Sequence, residues 1–162
     1  MADITYSKRA TEKRSTTFQT PGPGDAHNVK VLASATIELA ASASGTTVFL
    51  GRVPTTARLL PQGFIYNDDL ATSGSPTLDI GIGSVDANVT SDPDAINNGI
   101  ALSTATTTTT VFADPANAGK YMWELAGEST DPGGLVDIYG SVVDAATTAT
   151  GTVSVELLGY FD

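Results

Sequence analysis

The sequence contains no cysteine, a single histidine and few aromatic residues, 11 among 162. Without cysteine, neither a disulfide framework nor a thiolate metal site is available, and folding in a reducing cytoplasm is permitted. No run of about 18 apolar residues occurs, so we expect no transmembrane helix. The basic N-terminus MADITYSKRATEKRS has no apolar segment behind it, so we expect no secretory signal. A chain of this length suits one domain that buries roughly two-thirds of its unfolded surface.

The residue combinations of common catalytic sites are also missing from the sequence. His27 lies in the segment PGPGDAHN, and no Gly-x-Ser-x-Gly motif occurs, so a nucleophile activated by histidine has no candidate. The segment AGKY at 118–121 resembles the end of a phosphate-binding loop. However, Asp114 stands where the first glycine is required and Tyr121 replaces the Ser or Thr. The phosphate-loop motif is therefore absent.

Four glutamates remain as candidates for the carboxylate pair of a glycosidase: Glu38, Glu124, Glu128 and Glu156. Three of them lie on the polar side of a predicted strand, where solvated carboxylates are common. We therefore predict that the chain is not an enzyme and uses no cofactor.

Positive charge is scarce, with eight Lys and Arg against 18 Asp and Glu, which gives a net charge of −10. This balance opposes nucleic-acid binding by the body of the chain. Four of the eight basic residues nevertheless lie in the first 14 positions: Lys8, Arg9, Lys13 and Arg14. The PGPGD segment at 21–25 cannot continue a helix or a central strand. We assign residues 1–28 to an extended basic arm with a Pro/Gly linker, and residues 29–162 to the body.

The four basic side chains of the arm are the predicted partner-binding residues. The body holds 15 acidic residues and only four basic ones, so attraction between the arm and a neighbouring copy, or an acidic surface of another protein, is favourable. The attraction is screened beyond about 8 Å at physiological salt. A tail without a role is the alternative, because terminal segments commonly tolerate change.

The body has a hydrophobic period of two, which is typical of half-buried strands. In VKVLASATIEL, alternate residues from Val29 to Leu39 share one apolar face. The same alternation occurs in TLDIGIG and in YMWEL, where it places Trp123 in the core rather than on a sugar-binding surface. At the C-terminus, LVDIYGSVV (135–143) and TVSVELLGYF (152–161) are joined by DAATTATG. This pattern predicts an antiparallel hairpin.

Four shorter candidate strands complete the set: TVFLGR (47–52), GFIYN (63–67), GIALS (99–103) and TTTVFA (108–113). Helical periodicity over about ten residues is absent. Single helical turns are predicted at DPDAINNG and DPANAG, each with Asp as the N-cap and Pro at the first helical position. About eight strands at this spacing predict an all-β fold, an antiparallel β-sandwich or jelly-roll-like domain preceded by the extended arm.

Acidic and amide side chains crowd within TLDIGIGSVDANVTSDPDAINNG, residues 77–99. A calcium-binding EF-hand loop that began at Asp86 would need Gly at its sixth position and Glu at its twelfth. Those positions hold Ser91 and Asn97. The EF-hand motif is therefore absent.

A looser calcium site in residues 86–94 stays open, and its candidate ligands are Asp86, Asn88, Asp92 and Asp94. The alternative is that these side chains cap turns. Asp79 lies on the outward side of its predicted strand, and we expect it to be solvated or paired with a neighbour.

Four segments in this order resemble a group of tailed-bacteriophage virion proteins: FLGRVPTTARLLPQGFIYNDDL, TLDIGIGS, DPDAINNGIALST and LVDIYGSVVDAATTATGTVSVELLGYF. The resemblance covers most of residues 48–161. It implies a small all-β protein of the capsid decoration, or cement, type, made in the cytoplasm of the host bacterium. Its location would be the outer head surface and its partner the major capsid protein or another shell protein. Self-association, with a trimer favoured, is also implied.

Two classes of function therefore remain. The first is a structural protein that binds and stabilises the outside of a phage head. The second is a carbohydrate-binding or adhesive β-sandwich, in a head fibre or tail, that recognises a host-surface glycan. The small number of aromatic residues weakens the second class, because such residues commonly line ligand sites.

Overall fold

The computed structural model describes residues 29–86 and 88–161. Eight strands account for most of this part of the chain: β1 Lys30–Ala40, β2 Thr47–Pro54, β3 Ala57–Asn67, β4 Thr77–Ser84, β5 Asp92–Ala101, β6 Thr106–Thr110, β7 Leu135–Val143 and β8 Thr150–Phe161. Between β6 and β7 lie a 3-10 turn, Pro115–Asn117, and a single helical turn, α1 Met122–Leu125.

The strands form two four-stranded sheets that pack as a sandwich. The first sheet has the order β1-β8-β3-β6 and the second has the order β2-β7-β4-β5. β4 pairs with β5, β3 with β6, β2 with β7 and β1 with β8, all antiparallel. In this nested pairing the chain forms one long hairpin whose turn connects β4 to β5. The hairpin is wound so that its strand pairs alternate between the two sheets, which is the jelly-roll arrangement. The predicted all-β sandwich of about eight strands is therefore confirmed.

The core lies between the two sheets and is aliphatic. β8 supplies Val153, Val155 and Leu157, all nearly inaccessible to solvent, and faces Ile80 and other buried residues of the second sheet. β8 pairs with β1 on one side and β3 on the other. The prediction that the last strand lies inside a sheet is therefore confirmed. In the part of the chain that the structure describes, no helix is long and apolar enough to cross a membrane.

The predicted apolar face of β1 is wrong at its beginning. Val29 and Val31 are 58% and 55% exposed, whereas Leu32 is only 7% exposed. The pairing of β1 with β8 shifts register between Val31 and Ala33. A bulge of this kind adds one residue to one strand and exchanges the two faces, because side chains alternate with a period of two.

The predicted hairpin between the last two strands is also wrong. β7 belongs to the second sheet and β8 to the first, so their connection crosses the end of the sandwich. The loop is held by backbone contacts, since the N–H groups of Thr148 and Ala149 both donate to the carbonyl of Leu70. In the nested topology only β4 and β5 are consecutive neighbours within one sheet.

YMWEL is a helical turn rather than a strand. Met122 and Leu125 are buried, while the Glu124 carboxylate accepts the Tyr121 backbone N–H at 2.8 Å and caps the turn. Trp123 is half-buried, and its ring stacks on that of Tyr121 with centroids 5.8 Å apart. Met122 and Leu125 are three residues apart, and side chains at this spacing share a face in a helix but not in a strand. The capping contact also favours the helix.

The two predicted helical turns that begin with Asp-Pro have different outcomes. DPANAG is confirmed, because the Asp114 carboxylate accepts the N–H of Ala116 at the start of the 3-10 turn. DPDAINNG is instead the first part of β5. Ala95 and Ile96 are buried there, so pairing with β4 and core packing outweigh the local turn preference.

Asn67 joins the end of β3 to the loop before β6. Its side chain is fully buried, and its amide nitrogen donates to the carbonyls of Asp68 at 2.9 Å, Ala101 at 3.3 Å and Thr104 at 2.9 Å. The Asn67 Oδ1 atom accepts no hydrogen bond from the described residues. The contribution of Asn67 to stability therefore comes from its donors.

We predict that Asn67→Ala lowers the free energy of unfolding by about 2–3 kcal/mol, because a fully buried side chain is lost together with its hydrogen bonds to three backbone carbonyls. Urea denaturation with an unchanged m-value is the measurement. The control is Asn98→Ala, an exposed amide that donates only to the Asp94 carboxylate. The control should change stability by less than about 0.5 kcal/mol. Equal effects of the two substitutions would contradict the role of Asn67.

Asp68 connects β3 to β8 at the same end of the sandwich. Its Oδ2 atom accepts the backbone N–H of Thr152 at 2.8 Å and the hydroxyl of Thr152 at 2.9 Å. Its Oδ1 atom accepts the hydroxyl of Tyr66 at 2.9 Å. The hydrogen bonds from Thr152 and Tyr66 hold the pKa of Asp68 below its ordinary value of 3.8.

We predict that Asp68→Asn removes an acid-sensitive part of the stability. A carboxylate whose pKa is lowered in the folded state stabilises the protein above its unfolded pKa and loses this effect as the pH falls. The difference in melting temperature between the wild type and Asp68→Asn should therefore be largest near neutral pH and shrink below about pH 4. A difference that stays constant from pH 7 to pH 3 would contradict this assignment.

Candidate functional site

The outer face of the second sheet carries a shallow hollow of about 390 Å³. Phe49 of β2 stands opposite Tyr139 of β7, and Tyr139 in turn stands opposite Gly81 of β4. Phe49 is 60% exposed, whereas Tyr139 is half-buried. The hollow is lined by Thr47, Val48, Phe49, Gly83, Ser91, Asp137 and Tyr139.

Two glycines of β4 lie beside these side chains, and one of them, Gly83, lines the hollow. A Cβ atom at Gly83 would lie 3.2 Å from the Tyr139 ring. A Cβ atom at Gly81 would lie 2.3 Å from the backbone of Asp92 and Pro93. The missing side chains therefore allow the tyrosine ring and the beginning of β5 to approach the sheet closely.

Negative charge predominates around the hollow. Arg52 makes a paired contact with Asp137, in which Nε lies 2.6 Å from Oδ1 and Nη2 lies 2.9 Å from Oδ2. The hydrogen bond to Asp137 raises the pKa of Arg52, and the charge of Asp86 adds to this effect. Asp92 and Asp94 make no ion pair with the described residues. The carboxylates of Asp86 and Asp137 thus act on the Arg52 guanidinium, and those of Asp92 and Asp94 act on Tyr139.

The titration of the neighbouring groups reflects this negative potential. Burial raises the pKa of Asp92, and the nearby Asp94 adds to the shift. Burial also raises the pKa of Tyr139, and the charges of Asp92 and Asp94 act in the same direction. A cationic side chain or ligand would therefore be attracted to the Tyr139 ring and its carboxylate neighbours.

Among the candidate glycosidase glutamates, Glu38 and Glu156 are not brought together as a pair. Glu38 stands opposite Thr152 and Glu156 opposite Ser34, so four residues of β8, or about 13 Å, separate them along the first sheet. Carboxylates of a glycosidase lie roughly 5–9.5 Å apart. Glu124 caps α1, and Glu128 accepts the backbone N–H of Thr90 at 3.0 Å. These contacts are structural.

The acidic stretch at 77–99 is used mainly to bind its own backbone. Asp79 is buried and accepts the N–H of Gly99 at 2.8 Å, so it is paired rather than solvated. The Asn88 amide donates to the carbonyl of Gly133. Within residues 29–86 and 88–161, no group of three or more His, Asp or Glu side chains is arranged to hold a metal. The turn-capping alternative therefore has the stronger support.

The predicted partner-binding residues Lys8, Arg9, Lys13 and Arg14 lie outside the described residues, as does His27. The hollow itself was missed in the sequence. The sequence feature that could have indicated the hollow is LVDIYGSVV, in which Asp137 and Tyr139 alternate with buried residues and so share the outer face of the strand. An aromatic residue on the outward side of a strand points to an exposed contact surface.

Comparisons with known proteins concern the fold. No family model matches the sequence, and no curated protein matches it. The fold is similar to that of a chain in the solved structure described as "Cyanophage Pam1 capsid asymmetric unit". The match has a TM-score of 0.56 and 18% sequence identity, and it covers 93% of this chain and 96% of that chain. Over nearly their whole lengths, the two chains share a fold.

We predict that folding needs no metal ion, because the side chains of the acidic stretch bind the backbone. Thermal melts in EDTA and in excess calcium should nearly coincide. Mass action requires a ligand of the native state to raise the melting temperature. A large rise that depends on calcium and disappears in Asp92→Asn/Asp94→Asn would reverse this interpretation.

Proposed function

We propose that the chain is a non-enzymatic structural protein of a phage virion, of the type that decorates or cements the capsid. The observation that carries the proposal is the shared jelly-roll fold with a chain from a cyanophage capsid unit, extending over 93% of this chain and 96% of that one. The order of sequence segments that resembles phage virion proteins supports the same role independently.

An outer position on the head, against the major capsid protein, fits the charge of the chain. A net charge of −10 repels packaged nucleic acid. Glu38 and Glu156 lie too far apart to act as a glycosidase pair, and Glu124 and Glu128 bind backbone groups, which supports a non-enzymatic role. An acidic body with a basic arm is suited to binding another protein through an extended surface and the arm.

Self-association, with a trimer favoured, is part of the proposal. β1 and β6 are the edges of the first sheet, and β2 and β5 are those of the second. Edge strands leave backbone donors and acceptors available on one side, and a closed oligomer is one way to cover them. The apolar residues Val29 and Val31 are exposed at the β1 edge and favour burial by a partner.

A glycan-binding head fibre or tail component is the second candidate. One observation favours it, namely that Phe49 and Tyr139 stand beside the Asp137 carboxylate in an open hollow. Aromatic faces and carboxylates together suit sugar rings and hydroxyl groups. Retention of the protein on an immobilised host polysaccharide, lost in Tyr139→Ala, would favour this candidate over the first.

We predict that a chain without residues 1–20 binds phage heads more weakly than the full chain. Its melting temperature should be almost unchanged, because it keeps every described strand, the first of which begins at Lys30. Binding is measured by co-sedimentation of the purified protein with phage heads that lack it. The heat resistance of the heads that have bound the protein is then measured. The matched control replaces Lys8, Arg9, Lys13 and Arg14 by Gln in the full chain, which separates charge from length.

Full binding by both altered proteins would show that the arm is only a tail. Failure of the unaltered chain to bind heads or to raise their heat resistance would contradict the decoration role itself.

A further inference from the structure

Exposed apolar side chains are concentrated on one side of the sandwich. Four of the six large exposed apolar residues lie at β1, β2 or the adjoining beginning of β7: Val29 58%, Val31 55%, Phe49 60% and Leu135 41% exposed. Leu135 pairs with Pro54 of β2. We call the surface formed by residues 29–33, residues 47–54 and Leu135 the β1–β2 side.

The β1–β2 side consists of two sheet edges that lie next to each other. β1 is an edge of the first sheet and β2 an edge of the second. The two strands approach closely, because a Cβ atom at Gly51 would lie 2.9 Å from the carbonyl oxygen of Leu32. Within the described residues, exposed apolar side chains and two edge strands thus occur on the same surface, a combination that marks an interaction site.

The basic arm joins the body at this surface and at the acidic end of the sandwich. Because the strands alternate in direction, the beginning of β1 lies at the same end as the loops around residues 84–92, 110–122 and 134–135. These loops and their flanks carry Asp86, Asp92, Asp94, Asp114, Glu124, Glu128 and Asp131. An extended segment of 28 residues reaches at most about 90–100 Å, which is ample to span a neighbouring body.

We propose that the β1–β2 side is covered by a second copy of this chain, whose basic arm lies in the hollow between Phe49 and Tyr139. The proposal rests on the self-association in the proposed function and identifies its surface. Lys and Arg side chains of the arm supply the charge that complements Asp92 and Asp94, which have no described ion-pair partner. A guanidinium or ammonium group over Tyr139 gains a cation–π contact as well.

A second copy fits better than the arm of the same chain. An arm folded onto its own hollow would contact Phe49 but would leave the strand edges without a pairing partner. A neighbouring body covers Val29 and Val31, pairs with or shields the edges and delivers an arm of the right charge. Two copies of this chain therefore supply the whole contact, one through its β1–β2 side and hollow and the other through its body and basic arm.

Carbodiimide cross-linking tests the contact directly, since this reagent joins an amine and a carboxylate that already touch. Full-length protein labelled with heavy nitrogen is mixed with unlabelled protein and allowed to exchange. We expect cross-links of mixed isotope that join Lys8 or Lys13 to Asp92, Asp94 or Asp137. Cross-links confined to one isotope would show that the arm binds its own body and would overturn the proposal.

Substitutions on the two outer faces provide a matched comparison. Phe49→Lys places a positive charge on the β1–β2 side, where it repels the basic arm, and Phe64→Lys makes the same change on the outer face of the first sheet, where Phe64 is 37% exposed. We expect Phe49→Lys to weaken self-association roughly tenfold or more in sedimentation equilibrium, as removal of a central contact does. Phe64→Lys should leave self-association unchanged, and thermal melts should verify that both variants are folded.

The outcomes separate the two proposals. An unaltered chain that is monomeric at micromolar concentration contradicts the self-association of the proposed function. If the Phe49→Lys and Phe64→Lys variants self-associate as well as the unaltered chain, and no arm-to-hollow cross-links form, only the surface proposed here is contradicted. Binding to phage heads by a variant that no longer self-associates would leave the decoration role intact.

Discussion

The pairing of the first strand with the last is the constraint on which the rest of this structure depends. β8 lies between β1 and β3, so the two ends of the described chain are fixed in one sheet and the nested hairpin is closed. This closure buries Val153, Val155 and Leu157 against the second sheet. It also brings the beginning of β1 to the acidic end of the sandwich. The position at which the basic arm leaves the body therefore follows from the same pairing.

Much of the fold was predictable because strand formation here depends on a local alternation of apolar and polar residues. The segments 47–52, 63–67, 135–143 and 152–161 all lie within observed strands. Two of the errors arose where a non-local contact decides the outcome. The bulge beside Leu32 depends on pairing with β8, and the separation of β7 from β8 depends on the whole topology. No local pattern contains that information.

The candidate site was less predictable than the fold, for a related reason. The hollow combines side chains from β2 and β7 with Gly83 of β4, and the sequence does not place these strands next to each other. Asp79 shows the same difficulty, since its partner Gly99 becomes a neighbour only when β4 and β5 pair. The basic residues of the arm, by contrast, were evident from charge alone, but their contacts lie outside the described residues.

The charge of the molecule and its open strand edges connect the fold to the proposed role on a capsid. An acidic body with a basic arm attracts copies of itself or an acidic surface at short range. The most direct test is quantitative mass spectrometry of purified virions, with the amount of this chain expressed relative to the major capsid protein. We expect a fixed copy number per virion that is comparable to the copy number of the major capsid protein, as for a protein that covers the head. Its absence from virions, or its presence only at the level of a tail or fibre component, would contradict the account.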